Sequence, residues 1–184
     1  AVAAGEPLPD HPAVDLLRRR PPRTRSGGLP AAPDGLGGDV ATITAAVADL
    51  DGSYLAVQGP PGTGKTYTGA RVIAGLVARG WRVAVVAQSH TVVENMLREV
   101  AAAGVPRERI GKRPADEADP GAPWTWLGAN GFAAFHAAAG ADGAGYVLGG
   151  TAWDLTHPAR LPERPFDLLV VDEAGQYSLA DTIA

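Results

Sequence analysis

Cysteine is absent from the 184 residues, which excludes a disulfide framework and any thiolate metal site. No apolar run approaches the roughly 20 residues needed to cross a bilayer, and no charged start followed by an apolar stretch marks a secretory leader. The cytoplasm is therefore the expected address, with no membrane partner. An excess of basic residues is missing too. Lys+Arg number 16 against 20 Asp+Glu, giving a net charge of −4, so any contact with nucleic acid has to be local and not the work of a bulk field. The four histidines, His11, His90, His136 and His157, show no ligand spacing, and no metal held by protein alone is expected.

What is present suits one ordinary domain. Hydrophobic residues make up 46% of the chain, enough for a sizeable core. With 24 glycines and 16 prolines, long loops are expected but not disorder. Residues 1–39 read as a linker or N-terminal extension with an arginine cluster (Arg18, Arg19, Arg20, Arg23, Arg25) that either solvates the segment or touches phosphates. A short helix is expected around 13–20. Val40, Ile43, Val47 and Leu50 predict a helix over 40–50.

Beyond it, strand and helix alternate. Tyr54–Gln58 predicts a short strand, Lys65–Arg79 a helix closed by Gly80, Arg82–Ala87 a strand buried on both faces, and Thr91–Ala103 a second helix. Further strands are expected within 107–112, at 146–148 and at 166–171. The alanine, glycine and proline-rich stretch of about 114–145 reads as an insertion with some helix. The alternation predicts an α/β fold with a parallel sheet flanked by helices over residues 40–184.

Between the first strand and its helix lies Gly59, Pro60, Pro61, Gly62, Thr63, Gly64, Lys65, Thr66, which fits GxxxxGK[ST]. Such a loop curls its amides around phosphate oxygens at a helix N-terminus. Lys65 is expected to reach the β and γ phosphates of ATP and the Thr66 hydroxyl to ligate Mg2+. The partner carboxylate is expected at the tip of Phe166–Val171. There Asp172 would hold Mg2+ and Glu173 would act as base toward water, or both would merely cap a helix starting near Ala174. A rival acidic run, Asp116–Asp119, follows Gly111, Lys112, Arg113 and Pro114 where buried strand residues would be needed, and is expected to be a solvated loop.

VQGPPGTGKT (57–66) and VVDEAGQ (170–176), with AQSHTVVENM (87–96) between them, resemble motifs I, II and Ia of superfamily 1 helicases of the DEAxQ subgroup. The longer phrase from Gly59 to His90 is similar to the helicase part of bacterial RecB-like nuclease-helicase fusion proteins. The resemblance implies a RecA-like P-loop NTPase domain, the first of two motor domains, that binds ATP and Mg2+ and acts on single-stranded DNA or RNA. It adds Gln176 to the catalytic set of Lys65, Asp172 and Glu173. It also implies strand contacts for Ser89, His90 and Thr151, although Thr91 and Glu94 have capping-box spacing and Thr151 also suits a plain turn. Partners implied in the same full-length chain are a second RecA-like domain and a RecB-like nuclease domain. Two departures stand out. No glutamine precedes Gln58 to read adenine, and the later motifs are missing, so this piece alone is expected not to unwind a duplex. The competing readings are a P-loop ATPase of another class, in remodelling or transport, and a nucleotide-gated binding module.

Overall fold

The computed structural model describes residues 8–31, 39–115, 117–128, 131–157, 161 and 165–178. They fall into two compact units divided between Thr63 and Gly64.

In the first unit, α1 (Pro12–Arg18) starts where the His11 ring accepts from the Ala13 amide. Pro12 sits in the first turn, where an amide has no helical partner to lose. The Asp15 carboxylate on this helix is completely buried and accepts from Arg23 Nε at 3.0 Å and Ser53 Oγ at 2.9 Å. Burial pushes its pKa up, but the Ser53 and Arg23 hydrogen bonds outweigh that and hold it below the usual carboxylate range. α2 (Val40–Asp49) is capped by Asp39, which accepts from the Thr42 amide at 2.7 Å. Thr24 and Leu50 form an antiparallel bridge. Arg23 also donates to the Gly52 carbonyl and Arg25 to that of Ala48, so part of the arginine cluster is engaged within the chain.

The strand expected at Tyr54–Gln58 does not form. Ala56, Val57 and Gln58 are exposed, Val57 by 54%, and no ladder partner lies beside them among the described residues. A short apolar run becomes a strand only when a neighbour takes its amides and carbonyls.

The second unit is a five-stranded, all-parallel sheet of order β3-β2-β4-β1-β5, an α/β arrangement of the RecA-like P-loop kind. Its elements are α3 (Lys65–Val77), β1 (Arg82–Val86), α4 (His90–Ala102), β2 (Ile110–Lys112), β3 (Thr125–Trp126), α5 (Gly131–Gly140), β4 (Tyr146–Gly150), α6 (Ala152–Thr156) and β5 (Leu168–Val171). β1 lies inside the sheet between β4 and β5, and its Val83–Val86 are buried. Alternation along β1 and β4 sorts the core. Val83, Val85 and Val147 pack with Ile73, Val77, Val93 and Leu97 of α3 and α4, while Tyr146 and Leu148 pack with Phe132 and Phe135 of α5. Residues 107–109 form a 3-10 turn, so the strand expected within 107–112 begins only at Ile110. The stretch 114–145 supplies β3, α5 and the buried Trp124.

At the amino edge of the sheet, Arg82 Nη2 meets Asp167 Oδ1 at 2.7 Å and Arg82 Nε meets Asp167 Oδ2 at 3.0 Å, fastening the starts of β1 and β5. The Arg82 hydrogen bonds hold the Asp167 carboxyl below its usual range. A carboxyl with a lowered folded pKa stabilises the fold above its unfolded value, near 3.9, and loses that contribution as pH falls through the folded value. Both side chains are over a third exposed, so the pair contributes under about 1 kcal/mol. Asp167→Asn is expected to lower stability near neutral pH and to have a smaller effect near pH 2 in urea melts. An effect as large in acid would contradict this account.

Candidate functional site

β1, β4 and β5 end level with one another, since Val86 pairs with Gly150 on one side and Val171 on the other. Ala87–His90, Thr151 and Asp172–Glu173 therefore leave the sheet at its carboxyl edge. The Asp172 amide donates to the Val86 carbonyl at 2.9 Å, extending the β1–β5 ladder one step. α3 returns to β1 through the tight turn Ala78–Trp81, in which Trp81 N donates to Leu76 O at 3.1 Å. Its 13 residues climb about 20 Å, against about 17 Å for the five of β1. Lys65 and Thr66 stand at its start, at the end of the helix away from this turn.

Local backbone in the glycine-rich loop follows its sequence. Gly62 and Gly64 have φ of 80° and 76°, the left-handed region, where a Cβ is disfavoured. Thr63 donates to the Pro60 carbonyl through its hydroxyl at 2.8 Å. Gly59–Thr63 lie in the first unit, and Gly64–Thr66 in the second. Gly64 opens α3, its carbonyl accepting from Thr68 N at 2.9 Å.

After β5 the chain forms one 3-10 turn, Ala174–Gln176, in place of the helix expected near Ala174. Glu173 takes φ 53° and makes no side-chain cap bond, while Asp172 Oδ1 accepts from the Glu173 amide at 2.9 Å. A non-glycine residue at positive φ costs of order 1 kcal/mol or more and persists where surroundings fix it. The Gln88 side-chain amide, from the loop after β1, donates to the Gln176 carbonyl and joins the two loops.

The cap of α4 is Ser89, which accepts from Val92 N at 3.3 Å, and not Thr91 as the Thr91/Glu94 spacing suggested. Glu94 has a stronger partner: its carboxylate lies 3.0 Å from Lys112 Nζ and 3.7 Å from Arg98. Thr151 caps α6 in a full capping box with the buried Asp154, which Arg113 contacts at 3.3 Å. The Ser89 and Thr151 side chains thus have structural roles at the carboxyl edge, and each hydroxyl retains further hydrogen-bonding capacity.

Glu117 and Asp119 of the rival acidic run are exposed, and Asp116 lies outside the described residues. One premise about that run is corrected. Gly111 and Lys112 are buried strand residues of β2, because Glu94 and the Arg113 carbonyl pair the lysine. Sequence reasoning passed over Lys112 and also Trp153, 72% exposed on α6 beside the Thr151 turn. A lysine among strand residues was the available signal for the first; periodicity holds none for the second. Away from this edge, a cleft of about 470 Å³ is lined by residues that include Arg79, Arg109 and Asp142. It contains no motif residue.

A family model described as an AAA domain matches residues 40–184. The chain is 40% identical over 55 residues to the DNA polymerase alpha-associated DNA helicase A of Schizosaccharomyces pombe (strain 972 / ATCC 24843), covering 30% of this chain and 8% of that protein. It is 28% identical over 135 residues to the DNA replication ATP-dependent helicase/nuclease JHS1 of Arabidopsis thaliana, covering 71% of this chain and 10% of that protein. It therefore spans a tenth or less of the length of either relative. No solved structure matches it. With most of its length under the family model and its acidic turn on the carboxyl edge of a parallel sheet, the chain belongs to the AAA domain family.

Proposed function

We propose that this chain is the first motor domain of an ATP-dependent superfamily 1 helicase or translocase acting on single-stranded nucleic acid, with residues 40–184 as the motor and 1–39 as an extension. The observation that supports the reading is the acidic turn at the carboxyl edge, where Asp172 extends the β1–β5 ladder, in a chain whose glycine-rich loop opens α3 at Lys65 and Thr66. Members of the P-loop class need a hydroxyl and a carboxylate converging on one hard cation. Thr66 and Asp172 are oxygen donors of that kind and would hold Mg2+, while Gly59–Lys65 would cradle the phosphates. When bound, Mg2+ supplies charge neutralisation between the β and γ phosphates. Lys65 binds phosphate as a point charge, Glu173 takes the proton of the attacking water, and Gln176 stands beside it in the same turn. Ser89, His90 and Thr151 contact the strand. The match to a protein named as a helicase/nuclease supports a nuclease domain elsewhere in the full-length chain, while the DEAxQ subgroup and a second RecA-like domain rest on the motif VVDEAGQ (170–176) and its companions.

The test is ATP hydrolysis by the full-length protein with and without single-stranded DNA or RNA. Stimulation by the strand is expected. Robust turnover indifferent to it would move the chain to a remodelling or transport ATPase. Lys65→Ala is expected to weaken ATP affinity about 10- to 100-fold, the loss of one charge-assisted contact, measured by titration with a fluorescent ATP analogue. Unaltered affinity would remove Lys65 from the phosphate site.

A further inference from the structure

Lys112, the last residue of β2, has no exposed side-chain surface. Its ammonium has three protons and finds three acceptors: Glu94 Oε1 at 3.0 Å, the Arg113 carbonyl at 2.9 Å and His90 Nδ1 at 3.3 Å. The Trp126 ring centroid lies 5.3 Å away. His90 and Glu94 stand one turn apart on α4 and share a face. β2 is separated from β1 in the sheet by β4, where Lys112 pairs with Gly149. A Cβ on Gly149 would come within 2.7 Å of Leu97 Cδ1 and 2.8 Å of Val93 Cγ1. The missing side chain lets α4 lie close enough for the lysine to reach it.

An ammonium only donates. Nδ1 of His90 therefore accepts from Lys112, and the proton of the neutral ring resides on Nε2. We propose that Lys112 is a positioning residue: it locks His90 in the Nε2–H tautomer, so that the ring offers an N–H to a phosphate of the single strand. The first half rests on geometry alone, and the second on the strand-contact reading above. Packing alone would need any apolar side chain of this length. A full set of acceptors around a buried cation, one of them a ring nitrogen at the start of α4, fixes a hydrogen-bonding direction.

The test uses the full chain with 15N-labelled histidine and a labelled oligo-dT strand. Long-range 1H–15N correlation is expected to show Nδ1 of His90 as the bare acceptor nitrogen and Nε2 as protonated. Lys112→Met is expected to release the ring into both tautomers and to weaken oligo-dT binding about tenfold, with affinity for an ATP analogue unchanged. His90→Ala should weaken the strand by a similar factor, and the double variant no further. A proton on Nδ1 in the unsubstituted chain, or a tautomer indifferent to Lys112→Met, overturns the positioning role. If Lys112→Met fails to fold, the tautomer of the unsubstituted chain still decides. The expected tautomer with undiminished oligo-dT binding in His90→Ala overturns the strand contact instead, and with it the purpose assigned to Lys112. Loss of binding in His90→Ala alongside the wrong tautomer refutes Lys112 and leaves the strand contact standing.

Discussion

Glu173→Gln in the full-length protein is expected to retain ATP affinity and to lower turnover about 10²- to 10⁴-fold, the usual contribution of a positioned general base. Glutamine keeps the size and hydrogen-bonding reach of glutamate but cannot accept a proton from water. Glu173 is held at φ 53° between the β1–β5 ladder and a 3-10 turn, with its amide donating to Asp172. Affinity for an ATP analogue and single-turnover hydrolysis would be measured side by side. Equal turnover would assign the proton to another group, and a large loss of affinity would make Glu173 part of the binding set.

The second large effect concerns folding. Gly145→Ala is expected to destabilise the sheet unit by about 3 kcal/mol or more, at or above the upper end for overpacking and a large share of the 5–15 kcal/mol typical of a domain. A Cβ there would stand 2.3 Å from the Val77 carbonyl oxygen and 2.6 Å from that of Trp81. Both are backbone atoms that cannot swing aside. Moving them would disturb the end of α3 and the Tyr146 N to Trp81 O bond that starts β4 beside β1. Gly75, in α3 with open space around its Cα, is the control. Its alanine variant is expected to be neutral or stabilising, because alanine is the better helix former by about 1 kcal/mol. Urea midpoints of the two variants decide the matter; a Gly145→Ala midpoint equal to that of the unsubstituted chain would refute the contact.

Which parts could be read in advance follows from which interactions are local. β1 and α3 announce themselves because Val83–Val86 form an unbroken apolar run and Ile73, Leu76 and Val77 recur at helical spacing. β5 was legible for the same reason, and with it the position of Asp172 and Glu173. Tyr54–Gln58 has the same appearance, yet a strand exists only through its neighbour, and sequence does not display neighbours. The capping residue of α4 was misplaced by two positions because Glu94 is drawn to Lys112, a residue 18 positions away that local spacing cannot weigh. The role of Lys112 is not local either: two of its three acceptors, Glu94 and His90, come from α4, which only packing brings to the end of β2.

Among the described residues, β5 is bonded along one flank only, to β1, and Leu169 is 52% exposed. A strand stitched on a single side opens at lower free energy than the core strands, so its amides should exchange with deuterium well ahead of those of β1. The acidic turn rides on this edge strand. Its stiffness is inherited from β1 through the ladder and the Arg82–Asp167 clasp at the far end. Anything that peels β5 away would disarm Asp172 and Glu173 without touching either side chain.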